Sequence, residues 1–125
     1  MKYGFIGCGN MGGAIARAMS GRTKDIAVTD RSGKAKILAA ELGISYWSAE
    51  RIAQECDRIF LAVKPHMMAE VLKPLQRILN QKKPLLITMA AGLEMGKIEE
   101  FAGSALPVVR IMPNPPIAVG KGVIP

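Results

Sequence analysis

Three glycines spaced Gly7-x-Gly9-x-x-Gly12, directly behind a short apolar run, constrain this chain more than any other feature. Tyr3 to Gly7 reads as a strand, and Met11 to Ser20 places apolar residues at Met11, Ala14, Ile15, Ala18 and Met19, which is helical spacing. The glycines therefore fall at a strand-to-helix turn, where each has a task. Gly7 permits the tight turn, Gly9 lets the backbone approach a ligand's phosphates, and Gly12 lets helix and strand pack closely. The amide N–H groups that open the helix, from Asn10 and Met11 onward, then face an anion whose charge the helix dipole favours.

The same alternation continues. Asp25 to Thr29 is β-prone, and Lys34 to Leu42 returns to helical spacing until Gly43 stops it. Ile44 to Trp47 reads as a brief third strand, Ser48 as the cap of a helix reaching about Cys56, and Arg58 to Val63 as a fourth strand that Pro65 ends. A helix from about Met68 to Leu79, a fifth strand at Leu85 to Met89, a short helix at Glu94 to Phe101 and a sixth strand at Val108 to Met112 follow. Strands that alternate with helices at short intervals imply a parallel sheet, because parallel neighbours need crossover connections. The expected fold is α/β: a Rossmann-type doubly wound parallel sheet with helices on both faces, forming a single dinucleotide-binding domain over residues 1–125.

Composition narrows the function. The chain has 125 residues, enough for one core, and half of them are hydrophobic. No stretch approaches the ~20 apolar residues of a membrane span, since the best runs, Ile59 to Val63 and Pro84 to Leu93, are strand-sized. Four glycines by Gly12 and the charge of Arg17 break any signal-peptide core, so the N-terminus reads as mature structure and the protein as cytoplasmic. Cys8 and Cys56 stand in no CxxC or Cys/His cluster, which points to two reduced small hydrophobes and to neither a metal site nor a disulfide framework. A net charge of +7 raises the question of nucleic acid, yet the basic residues are scattered, without aromatic interleaving. A modest cluster at Arg22, Lys24, Arg31, Lys34 and Lys36 fits either solvated faces or recruitment of a phosphorylated small molecule.

At the end of the second strand stands Asp30-Arg31-Ser32. A carboxylate at this point accepts hydrogen bonds from the adenosine ribose of NAD, whereas an arginine accommodates the 2′-phosphate of NADP. Asp30 argues for the first, and Arg31, Ser32 and Lys34 argue for the second. The choice stays open, leaning toward NADP(H) with NAD(H) tolerated.

Three later segments give the chain a family resemblance: Leu61-Ala62-Val63-Lys64-Pro65, Ala90-Ala91-Gly92, and Val109-Arg110-Ile111-Met112-Pro113-Asn114 running on to Val119-Gly120-Lys121-Gly122. In order and spacing the chain resembles pyrroline-5-carboxylate reductase, whose members complete proline biosynthesis. The resemblance implies reduction of the C=N bond of 1-pyrroline-5-carboxylate to L-proline by hydride from NADPH or NADH. It also implies that Ala62, Val63, Lys64 and Pro65, with Ala90 and Gly92, lie beside the nicotinamide ribose, and that Met112, Pro113 and Asn114 approach the nicotinamide and substrate. All three segments fall at expected carboxyl ends of strands, where open α/β sheets bind ligands.

Two departures from the family matter. Glutamine is usual where this chain has His66, which makes His66 a helix-start or rim residue rather than a proton donor. The family's chains also run on into a helical C-terminal domain that forms a homo-oligomer and supplies much of the substrate pocket. The chain is therefore expected to be the cofactor-binding half, able to hold nucleotide and unable to reduce substrate alone. The catalytic residues stay unassigned. The rival readings are an NADP-linked dehydrogenase of the hydroxyacid type and a non-catalytic nucleotide-binding module. The segments after strands four to six favour the reductase over both.

Overall fold

In a computed structural model of the chain, which describes residues 1–88, 95–103 and 107–110, strands and helices alternate from the start. β1 (Tyr3–Ile6) leads to α1 (Asn10–Ser20), β2 (Ile26–Thr29) to α2 (Lys34–Leu42), and β3 (Ser45–Tyr46) to α3 (Ala49–Glu55). β4 (Arg58–Leu61) is followed by a 3-10 turn (Pro65–Met67), α4 (Met68–Leu72), a second 3-10 turn (Lys73–Leu75) and α5 (Gln76–Lys82). β5 (Leu85–Thr88), α6 (Met95–Ala102) and β6 (Val108–Arg110) complete the described elements.

Among the described residues the strands form one parallel six-stranded sheet in the order β3-β2-β1-β4-β5-β6. The chain winds outward from β1 to β3, then crosses to β4 on the other side of β1 and winds outward again. At that reversal the connections leaving β1 and β4 turn to opposite faces, which opens a crevice at the carboxyl ends of the two strands. This is the doubly wound Rossmann-type architecture.

Successive strand residues point to opposite faces, and two cores result. Phe5 and Phe60 look to one face, where their rings stack with centroids 4.4 Å apart and planes 4° from parallel. There they join Ile15 and Ala16 of α1 and Ala35 and Leu38 of α2. Ile6, Ile59 and Leu61 look to the other face and meet Ile52 of α3, Met68 and Leu72 of α4, Leu79 of α5 and Ile98 of α6. Strands covered on both faces are nearly all apolar, as in the buried run Ile26–Thr29.

Besides shifts of one to three residues at element ends, such as β3 confined to Ser45–Tyr46 and α5 reaching Lys82, the structure differs from the sequence reading in two places. The helix expected from Met68 to Leu79 is broken at Lys73–Leu75, because Pro74 has no N–H to give the carbonyl four residues back and its ring crowds that carbonyl. The fourth strand, expected to reach Val63, ends at Leu61. The Ala62 N–H still donates to the Ile6 carbonyl at 2.9 Å, and beyond it the chain yields to the glycine loop pressed against it. Ser48 does cap α3, accepting from the Arg51 N–H at 3.2 Å. Met89, Glu94, Ile111 and Met112, at the edges of expected elements, lie outside the described residues.

Candidate dinucleotide-binding site

The loop between β1 and α1 is fixed to the end of β4 by two residues without a β-carbon. Gly7 has φ +95°, a conformation that side chains rarely adopt, and its N–H donates to the Thr29 carbonyl at 2.8 Å. A β-carbon there would lie 2.8 Å from the Ala62 carbonyl carbon and oxygen. At Gly12 it would lie 2.6 Å from the Ala62 β-carbon and 2.9 Å from the Gly7 oxygen. Both tasks assigned from the glycine spacing, a tight turn and a close helix approach, match this geometry.

Gly9 differs. It is the N-cap of α1, its side chain position meets nothing within 4 Å, no side chain caps the helix, and the first turn holds no acidic residue. The first amides of a helix have no partner within it, so they are left to an anion or to water. The space before these amides is open, and a β-carbon at Gly9 would project into it. Met11 is exposed beside it; the Asn10 side chain is outside the description.

Asp30 follows β2 directly, but its carboxylate is turned into its own loop. Oδ1 accepts from the Gly33 N–H at 3.1 Å, and Oδ2 accepts from the Ala35 N–H at 3.1 Å and the Ser32 hydroxyl at 3.0 Å. These bonds tie off donors at the start of α2 and hold the Arg31–Lys34 loop in shape. The charge that would repel a 2′-phosphate is thus spread over three donors. Arg31 and Lys34 are exposed beside it, and Arg31 Nη1 stands 3.0 Å from Glu70 Oε1 in α4.

The basic cluster seen in the sequence is divided by the sheet. Arg22 and Lys24 precede β2 and lie at the amino ends of the strands, where the Lys24 ammonium donates to the Leu42 carbonyl at 2.8 Å. Arg31 and Lys34 follow β2 and lie at the glycine-loop end. A shallow cleft lined by Lys2, Lys24, Asp25 and Trp47 belongs to the amino ends, away from the glycine loop.

Ala62 and Val63 form the wall against which Gly7 and Gly12 pack, and Lys64 and Pro65 continue as exposed residues into the first 3-10 turn. His66 is exposed in that turn. Ala90, Gly92, Met112, Pro113 and Asn114 lie outside the described residues. Cys8, within the glycine loop, is a buried free thiol pushed up to about 12, by burial first and by the Asp30 charge second. It stays protonated at neutral pH and is no nucleophile. Among the described residues no group of three or more His, Cys, Asp or Glu side chains is placed to hold a metal ion, and no helix is long and apolar enough to cross a membrane. Glu70 escaped the sequence reading, because nothing in a helical Ala69-Glu70-Val71 shows which loop its carboxylate meets.

Comparison with known proteins places these features in a family. Residues 2–92 match the model of the family described as NADP oxidoreductase, coenzyme F420-dependent. A pyrroline-5-carboxylate reductase of Aquifex aeolicus is 36% identical over 127 residues, covering 99% of this chain and 46% of the relative. The solved pyrroline-5-carboxylate reductase of Coxiella burnetii superposes with a TM-score of 0.86 at 34% identity, over 94% of this chain and 46% of its own. The Plasmodium falciparum pyrroline carboxylate reductase, solved with NADP bound, gives a TM-score of 0.75 at 32% identity, over 97% of this chain and 45% of its own. The chain thus spans about half the length of the curated relatives it matches.

Proposed function

The chain belongs to the family described as coenzyme F420-dependent NADP oxidoreductases, and from that premise we propose that it is the cofactor-binding half of a pyrroline-5-carboxylate reductase. The observation that carries the reading is the open space at Gly9, before the uncapped start of α1, in a loop otherwise packed too tightly to admit a β-carbon at Gly7 or Gly12. The reductase relatives extend the match beyond the family model's residue 92 to nearly the whole chain, which favours the reductase over the broader oxidoreductase description.

In this reading the α1 amides hold the pyrophosphate, and the Arg31–Lys34 loop, shaped by Asp30, takes the 2′-phosphate of NADP(H), with NAD(H) held less well. When bound, the reduced nicotinamide supplies the hydride. By the resemblance to the reductases, Ala62, Val63, Lys64 and Pro65, with Ala90 and Gly92, would contact the nicotinamide ribose, and Met112, Pro113 and Asn114 the nicotinamide and the substrate. The chain's task is to position the cofactor over the C=N carbon of 1-pyrroline-5-carboxylate. A protonated imine is already activated, so the described residues need no acid–base pair. The substrate pocket, a homo-oligomer and a cytoplasmic setting belong to the same proposal, with nucleic acid and membranes excluded as partners.

Isothermal titration of the chain with NADPH and with NADH at fixed salt tests it. A saturable one-site curve, tighter for NADPH, is the expected result, together with no loss of NADPH absorbance on adding 1-pyrroline-5-carboxylate to the chain alone. Absence of binding by both nucleotides would overturn the reading.

A further inference from the structure

Resting on that cofactor reading, we infer that Glu70 is a specificity-determining residue: it competes for Arg31 and so narrows the preference for a nucleotide bearing a 2′-phosphate. Arg31 leaves the carboxyl end of β2, and Glu70 lies in α4, beyond the carboxyl end of β4. β2 and β4 are the two neighbours of β1 in the sheet, so these residues stand on either side of the glycine loop. Their ion pair at 3.0 Å joins the two walls of the crevice.

The chemistry of the loop singles this pair out. Asp30, the carboxylate nearest Arg31 in sequence, is occupied by three donors of its own loop. Glu70 is the anion that Arg31 meets, and both side chains are roughly three-fifths exposed. An exposed pair of this kind is weak enough for a doubly charged phosphate to displace. A 2′-phosphate recruiting Arg31 must first break the pair, and afterwards stands close to a carboxylate that has lost its partner. A nucleotide with a free 2′-hydroxyl incurs neither cost. Removing the Glu70 charge therefore strengthens binding of the phosphorylated nucleotide alone.

The test is titration of the wild-type chain and Glu70→Gln with NADPH, NADH, 2′,5′-ADP and 5′-AMP at low and at high salt. Glu50→Gln, the same charge change at an exposed position of α3, controls for net charge. The expected result is an affinity gain of about two- to fivefold for NADPH and 2′,5′-ADP in Glu70→Gln, shrinking at high salt, with NADH and 5′-AMP unchanged. Circular dichroism and the melting midpoint confirm that the variant is folded. Unchanged or weakened NADPH binding overturns the inference while leaving the cofactor reading intact. An equal gain for NADH, or the same gain in Glu50→Gln, also overturns it. If neither nucleotide binds either protein, the cofactor reading falls and the inference falls with it.

Discussion

Gly12 of α1 sits so close to Ala62 that a β-carbon on the glycine would lie 2.6 Å from the β-carbon of the alanine. Helix and strand end meet there at backbone distance, and that contact sets where the start of α1 points. Gly12→Ala forces the two apart. It is expected to cost about 1–3 kcal/mol, the usual range for overpacking a tight contact, and to weaken NADPH binding with it. Denaturant melts and titration of the same sample measure both.

Gly9 predicts the opposite split between stability and binding. Serine there is a better N-cap than glycine, so Gly9→Ser is expected to hold or raise stability by a few tenths of a kcal/mol. Its hydroxyl takes the amides proposed above for the pyrophosphate, and its β-carbon enters the open space. NADPH and NADH affinity should both fall, by about tenfold or more, since one charge-assisted hydrogen bond is worth about 1.5–3 kcal/mol. A folded variant that binds as well as the wild type would contradict this placement of the phosphates.

Asp30 acts through the loop it shapes. Asp30→Ala strips three accepted hydrogen bonds from the start of α2 and should destabilise the chain by about 1–2 kcal/mol, whereas Asp30→Asn retains an acceptor and loses less. NADPH binding should follow the same order. If Asp30→Asn instead improves NADPH binding at unchanged stability, repulsion by the carboxylate outweighs its work in the loop.

The proposed site makes Arg31 the residue that separates the two cofactors. Arg31→Ala is expected to weaken NADPH by about tenfold or more, through loss of a charge-assisted contact, and to leave NADH within about twofold. Equal losses for both would move Arg31 from the 2′-phosphate to the shared part of the nucleotide.

The thiols predict an alkaline limit. Burial raises Cys8 to about 12 and Cys56 to about 11, against an ordinary value of 9.0. Well below pH 9 both are mostly protonated whether the chain is folded or not. Above it the unfolded chain ionises first, so folding stability should fall as pH rises from about 9 through 11–12. Melting midpoints across that range check the sign. Iodoacetamide at pH 8 should label neither thiol in the native chain and both after denaturation.

Local rules decide what the amino-acid sequence shows without help. The period of apolar residues separates strand from helix, and the glycine spacing marks the one turn in which backbone must come close to backbone. From these came the parallel sheet, both helix layers and the close packing at Gly7 and Gly12. Charge pairing and chain direction are not local, and there only the tertiary structure decided. It divided one basic cluster between opposite ends of β2 and turned the Asp30 carboxylate into its own loop. It also brought Glu70, nearly forty positions away, against Arg31. The physical reason is that polar side chains take partners from whatever the folded chain sets beside them, and sequence spacing carries no record of that neighbour.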